Sequence, residues 1–229
     1  MSRGAVVFDL DGVLTRRDTF ATLVRRRLVH HPWRLALALP ALPLMALTGT
    51  RPRWRAPVTR YLVRVALLGR DPDRVRQEAR ALAQEFARTP TWLCPAGLDA
   101  ARRHVAAGDR VVVVTATEQT LARTLLVEVG LGEVELLASG LAPAPGGSRM
   151  RPHNFGHHKV RALRECGLPR PWTVMYTDSW SDSPVLAEVE RIVLVDPTST
   201  LLARARRTWP GRVEVIGATP TSGGTAAAQ

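Results

Sequence analysis

The sequence predicts an α/β fold: a doubly wound parallel sheet with a helical segment inserted after its first strand. Three observations carry that reading. Six short apolar runs, rich in β-branched residues, recur along the chain; helical stretches separate most of them; and the interval from about residue 16 to 95 lacks strand alternation altogether. Strands that are apolar on both faces belong inside a parallel sheet covered by helices. The chain has 229 residues, 45% hydrophobic and 23% charged, enough for one Rossmann-like core and a modest insert.

The elements follow in order. "AVVFDL" (5–10) opens the sheet, and the helical insert comes next. "GLDAARRHVAAG", "EQTLARTLLVEVG", "HHKVRALRECG" and "SPVLAEV" have helical spacing, and the first three close on Gly, the residue that ends a helix in the left-handed region. "RVVVVTA" (110–116), "VELLAS" (134–139), "TVMYTD" (173–178), "RIVLVD" (191–196) and "RVEVIG" (212–217) read as the other strands. Most end on a polar residue: Asp9, Thr115, Asp178, Asp196. Ligands of a doubly wound sheet bind at that carboxyl edge. The expected boundaries are a core over 1–15 and 96–216, a helical basic cap over 16–95, and a small, polar, disordered tail over 217–229.

Charge is concentrated in the insert. From Arg16 to Gly97 sixteen arginines face five acids, so this segment carries +11 of the formal +12. Such a segment suits anionic lipid, nucleic acid or phosphorylated ligands, unless it is simply an arginine-rich solvated face. Its centre has an apolar stretch from Leu35 to Leu47 broken by Pro40 and Pro43. Thirteen helical residues span roughly 20 Å, short of a bilayer's ~30 Å core. Two arrangements satisfy it: a segment lying in a membrane interface, anchored by Trp33, Arg34, Arg51, Arg53, Trp54 and Arg55, or a buried helical hairpin. Nucleic acid is disfavoured because the centre is aliphatic, whereas strand binding wants interleaved aromatics.

Cys94 and Cys166 offer no metal spacing or disulfide framework, and the first strand already holds the chemically interesting acids. Both points place the protein in the cytoplasm, free or peripheral on the cytoplasmic face of the membrane.

Asp9 and Asp11 stand two residues apart directly after a buried strand, followed by Gly12, which permits a tight turn. Like charges so close need a cation, and with no His or Cys cluster nearby, hard oxygen ligands suit Mg2+. Asp178 and Asp182 form a second pair beyond another strand. Thr115 ends "VVVVT". Lys159, the only lysine beside 31 arginines, begins a helix, a position where a compact ammonium serves better than a fork.

In this order, D-x-D-G-x-L-T, an apolar run ending in Thr, a downstream Lys and D-x-x-x-D resemble the haloacid dehalogenase superfamily of phosphatases over about residues 5–197. Val13 stands where that family usually has Thr. The resemblance implies Asp9 as nucleophile forming an aspartyl-phosphate and Asp11 as general acid and base. It implies Thr115 and Lys159 as phosphoryl holders, and Mg2+ on Asp9, the Asp11 carbonyl and Asp178, with Asp182 supporting it. "RRDTF", "HPWRLALALPALPLMAL", "GHHKV" and "YTDSWSDSPVL" further resemble the branch related to phosphoserine phosphatases, and within it phosphatidylglycerophosphatase C-like proteins. That implies a lipid phosphate as substrate and peripheral contact with anionic membrane. A soluble phosphatase of a small metabolite is the alternative. A membrane- or nucleic-acid-binding protein with incidental catalysis is a third, opposed by the intact set of six site residues.

Overall fold

The structure, a computed structural model, describes residues 5–41, 43–44, 55–151, 156–168 and 170–217. In chain order the strands are β1 (Ala5–Phe8), β2 (Arg110–Glu118), β3 (Glu135–Ser139), β4 (Leu141–Ala144), β5 (Gly147–Met150), β6 (Trp172–Thr177), β7 (Val189–Val195) and β8 (Val213–Ile216). Six of them form one parallel sheet in the order β3-β2-β1-β6-β7-β8. The doubly wound α/β reading therefore holds. β1 lies centrally, with Phe8 in register with Val113 of β2 on one side and Tyr176 of β6 on the other. The chain leaves β1 toward opposite edges, so a crevice opens beyond its carboxyl end.

Alternation along these strands divides the core into two layers. Val6, Phe8, Val111, Val113, Val174, Tyr176, Val193 and Val195 face one layer; Ala5, Val7, Val112, Val114, Met175, Ile192 and Leu194 face the other.

The helices are α1 (Thr19–Val29), α2 (Pro32–Ala38), α3 (Arg55–Leu67), α4 (Pro72–Arg88), α5 (Pro95–Ala107), α6 (Gln119–Glu128), α7 (His157–Glu165), α8 (Ser183–Leu186) and α9 (Ser199–Thr208). Among the described residues the first four of these lie in the insert. Asp18 and Asp71 cap α1 and α4 by accepting from Ala21 N and Asp73 N, and Pro72 occupies the first turn of α4. Val24, Leu28, Ala38, Val65 and Ala66 give α1, α2 and α3 a small core of their own. α4 instead turns Val75, Ala79, Leu82, Ala83 and Phe86, spaced at helical intervals, into the main layer with Phe8 and Leu125.

α2 stops at Ala38, two residues before Pro40, as the ring's clash with the preceding turn requires. Of the stretch from Leu35 to Leu47, residue 42 and residues 45–47 lie outside the described residues. So do Arg51, Arg53, Trp54, the side chain of Arg55 and the tail from 218. Among the described residues Trp33, Leu35, Leu37, Leu39 and Leu44 are exposed, whereas Ala38 and Ala41 are buried. No helix among the described residues is long and apolar enough to cross a membrane.

The helix α9 and the β4–β5 hairpin escaped the sequence reading. β4 and β5 pair as an antiparallel hairpin with Pro143 inside its first strand, opposite Ser148. Proline is a poor strand signal because it cannot donate to a ladder. The turn uses Gly146 and Gly147 at φ 73° and 139°, and a Cβ on Gly147 would sit 2.4 Å from the Leu67 carbonyl. Tertiary contact with the end of α3 thus fixes the hairpin.

Phe86 is wholly buried between the insert and the sheet. Phe86→Ala should lower unfolding free energy by about 3–5 kcal/mol, read from the urea midpoint. A variant of unchanged midpoint would show that α4 contributes nothing to the core.

Candidate active site

The end of β1 carries the site. Asp9 N still donates to Tyr176 O at 3.0 Å, so the backbone remains in the sheet as its side chain reaches the rim. Asp9 is 8% exposed; Oδ1 accepts from Leu10 N at 2.8 Å and Oδ2 lies 2.9 Å from Lys159 Nζ. Lys159, in the first turn of α7, is 3% exposed and also reaches Asp182 Oδ1 at 2.7 Å. Asp182 has no exposed surface, and its Oδ2 accepts from Thr177 Oγ1 at 2.8 Å. The ammonium is therefore held between a carboxylate from the β1 end and one from beyond the β6 end.

Asp11 is gripped from three elements. Its Oδ1 accepts from Thr19 N at 2.8 Å and from Thr15 Oγ1 at 3.4 Å, and its Oδ2 accepts from Thr117 Oγ1 at 2.6 Å. The hydroxyls of Thr19 and Thr117 meet at 3.2 Å, and Thr117 N donates to Thr115 Oγ1 at 3.1 Å. A continuous chain thus links Thr115 to Asp11. Gly12, at φ 80°, turns the backbone against Asp178: a Cβ there would lie 2.0 Å from Asp178 Oδ2. That close approach demands glycine on both counts.

All six residues singled out from the sequence, Asp9, Asp11, Thr115, Lys159, Asp178 and Asp182, border this crevice. Thr15, Thr19, Thr117 and Thr177 were missed. Thr117 had a signal, since residues two apart on a strand point to the same side as Thr115. Thr19 had none, because its amide meets Asp11 only through the path of the insert.

Burial and like charge set the electrostatics. Burial raises Asp9 well above the usual carboxylate range; Lys159 opposes this, while Asp182 and Asp11 add to it. Asp11 is pushed up to about 6 by burial and then Asp18, against hydrogen bonds from Thr117 and Thr19. Asp178 also reaches about 6, through burial and Asp182. Burial alone would lower Lys159, but Asp9 and Asp182 overcome it and raise the ammonium above its usual value.

Four carboxylates and one ammonium leave an excess of negative charge in a buried crevice, the setting a cation would relieve. Among the described residues no three His, Cys, Asp or Glu side chains converge at metal distances. Mg2+ does not require them, since it keeps several waters and takes one or two carboxylates with substrate oxygens. Asp178, packed onto Gly12 beside the loop that holds Asp9 and Asp11, supplies the oxygen-only donor set it prefers. The residues present fit Mg2+.

A family model described as haloacid dehalogenase-like hydrolase matches residues 6–187. The chain belongs to the haloacid dehalogenase-like hydrolases. Solved structures with the same fold include a protein with unknown function from Bordetella pertussis Tohama I. It is 23% identical over 95% of this chain and 99% of that one, with a TM-score of 0.65. A phosphoserine phosphohydrolase-like protein from Francisella tularensis subsp. tularensis SCHU S4 is 11% identical, covering 84% and 87% of the two chains, at 0.58. A substrate-bound phosphoserine phosphatase complex is 13% identical, covering 89% and 91%, at 0.56. At these identities the likeness establishes the shared fold of this hydrolase.

Because Asp178 has its pKa raised from 3.8 to about 6 in the fold, its ionisation costs stability as pH rises through that interval, and the penalty persists above it. Asp178→Asn should therefore raise Tm at pH 7.5 by a few degrees, about 1–2 kcal/mol, and much less near pH 4. Mg2+ should raise the Tm of the wild type, and the same change should abolish that rise. A Mg2+ response equal to wild type would remove Asp178 from the cation site.

Proposed function

We propose that this hydrolase is a Mg2+-dependent phosphomonoesterase working through an aspartyl-phosphate on Asp9, with a lipid phosphate such as phosphatidylglycerophosphate as its substrate. The observation that supports the chemistry best is Lys159, held between Asp9 and Asp182 beside an Asp11 positioned by Thr117 and Thr19. Nucleophile, proton carrier and a fixed positive charge then face one space.

In the first step an Asp9 carboxylate oxygen attacks phosphorus and the bond to the leaving alcohol breaks. That alcohol oxygen takes a proton from Asp11, whose raised pKa keeps a protonated fraction available. In the second, water attacks phosphorus and gives its proton to Asp11. The bond to Asp9 breaks, releasing inorganic phosphate and restoring both carboxyl groups. Lys159 offsets charge gathered on the phosphoryl oxygens, and the Thr115 hydroxyl would donate to one of them. Asp9, the Asp11 carbonyl and Asp178 would hold Mg2+, with Asp182 supporting the site through Lys159. When bound, the ion supplies further positive charge to the phosphoryl group.

The lipid reading draws on the insert. Trp33, Leu37, Leu39 and Leu44 expose apolar surface on a segment whose net charge is +11, a combination that binds anionic bilayers at about 1 kcal/mol per basic residue. It also draws on the resemblance to phosphatidylglycerophosphatase C-like proteins, and it puts the enzyme on the cytoplasmic membrane face. A second reading, a soluble phosphate ester as substrate, draws on the structural likeness to phosphoserine phosphatases.

Two measurements test the proposal. A screen of lipid phosphates against soluble esters, each with and without Mg2+, should show Mg2+-dependent turnover favouring the lipid, with Asp9→Asn inactive on every substrate. Turnover confined to soluble esters, with equal indifference to phosphatidylglycerol and neutral vesicles in co-sedimentation, would select the second reading. Thr117→Val removes a hydrogen bond that favours ionised Asp11. The alkaline limb of its kcat profile should accordingly move to higher pH; an unmoved limb would assign the proton transfer elsewhere.

A further inference from the structure

Arginine is seldom fully buried unless its donors are met by carboxylates or carbonyls. The insert departs from this at one place. Arg27 of α1 is 4% exposed and Arg34 of α2 is 2% exposed. Arg27 gives Nε–H to Ala66 O at 2.8 Å and an Nη1 hydrogen to Glu78. Arg34 gives an Nη2 hydrogen to Leu68 O at 2.7 Å, and its guanidinium lies 4.8 Å from the centre of the Trp33 ring. Both carbonyls close the end of α3, where cations are favoured, so one donor on each side chain has a structural role. The other donors do not. Among the described residues, Nη2 of Arg27 and both Nε and Nη1 of Arg34 are buried without an acceptor.

The surroundings add positive charge. Arg70 brings an Nη2 to 3.4 Å from His31 Nε2. Burial, followed by the charges of Arg27 and Arg70, holds the Arg34 guanidinium below its usual range. Among the described residues Glu78 is the one carboxylate paired with this group. The sequence contains no acid between Asp18 and Asp71, so residues 45–54 cannot supply another. The remaining acids of the insert are engaged: Asp18 and Asp71 cap α1 and α4, Asp73 pairs with Arg76, and Glu85 takes Arg26 through both oxygens. A cavity of about 300 Å³ borders the cluster on its Arg27 and His31 side, with Arg26, His30, Glu78 and Glu85 also in its wall; Arg34 and Arg70 do not line it. None of the residues lining it belongs to the Asp9–Lys159 group.

We propose that Arg27, Arg34 and Arg70, with His31 beside Arg70, bind a phosphate-class oxyanion at a second site within the insert. Three unmet N–H donors on two planar forks match the several acceptor oxygens of one tetrahedral anion, and three guanidinium groups against one carboxylate supply the charge. The anion is either inorganic phosphate, which a phosphatase releases, or the phosphate of a lipid headgroup. Both use the same contacts.

The test is thermal unfolding of the full chain in EDTA, so that Mg2+ at the catalytic crevice does not contribute. Inorganic phosphate is titrated to about 10 mM against sodium chloride of equal ionic strength, since a ligand that binds only the folded state raises the midpoint saturably. The wild type should show that rise, and Arg34→Met and Arg70→Gln should each need at least about tenfold more phosphate for half of it. A parallel titration compares dihexanoyl phosphatidic acid with dihexanoyl phosphatidylcholine. A larger response to the former than to inorganic phosphate identifies the lipid source, and a response to phosphate alone identifies the free ion. Arg70 is only half-buried, so Arg70→Gln keeps the test open should Arg34→Met fail to fold, and unchanged aryl phosphate turnover without added anion verifies that its fold is intact. No saturable rise in the wild type, or an equal rise in all three proteins, overturns the proposal.

Discussion

The Lys159 ammonium between Asp9 and Asp182 is the interaction on which the rest of the site depends. Without it, the acids at the strand ends would be buried with nothing to offset their repulsion, and burying an unpaired charge is among the costliest events in a fold. Its position follows from the fold. α7 must deliver its first turn to the gap between the β1 and β6 rims, and β6 must run on so that Thr177 can hold Asp182. One compact ammonium nitrogen meets both carboxylates, at 2.9 and 2.7 Å, with no planar fork to orient. The chain, otherwise basic through arginine, places its one lysine here.

The same economy of space governs the loop after β1. Gly12 lets Asp178 approach where any side chain would collide, and it brings the Asp9–Asp11 turn against the second acidic pair. The sheet order makes this possible, because β1 is flanked by β2 and β6 and their carboxyl ends share one rim. Asp11 is then steadied by Thr117 from β2 and by the Thr19 amide at the start of α1. The insert is thus joined to the crevice beyond β1 through its first helical residue, and through Phe86 to the core.

In the insert, arginines do several different things. Arg26 makes a two-point ion pair with Glu85, exposed and of modest worth. Arg64 reaches the carbonyl of Ser148 at 3.1 Å and ties the β4–β5 hairpin to α3. Arg27 and Arg34 go inside, where desolvation makes an unmet donor far more consequential than it would be on the surface. Composition alone reports only a basic segment; burial separates solvated charge from charge in need of a partner.

Much of the core was legible in the sequence because its determinants are local. Continuous β-branched runs such as "VVVV" can be buried only in a covered parallel sheet, and helices closed by Gly108 and Gly130 announce their ends through backbone sterics. The spacing of Asp9 and Asp11 after an apolar strand, and the isolation of Lys159, likewise expressed chemistry that needs those residue types. The tertiary structure decided whatever depends on contacts distant in sequence. Thr19 became a partner of Asp11 through the route of the insert, the Pro-containing hairpin formed because Gly147 packs on the end of α3, and α4 joined the main core. Whether an arginine is buried or solvated is likewise fixed by packing, since its local sequence pattern is the same in either case.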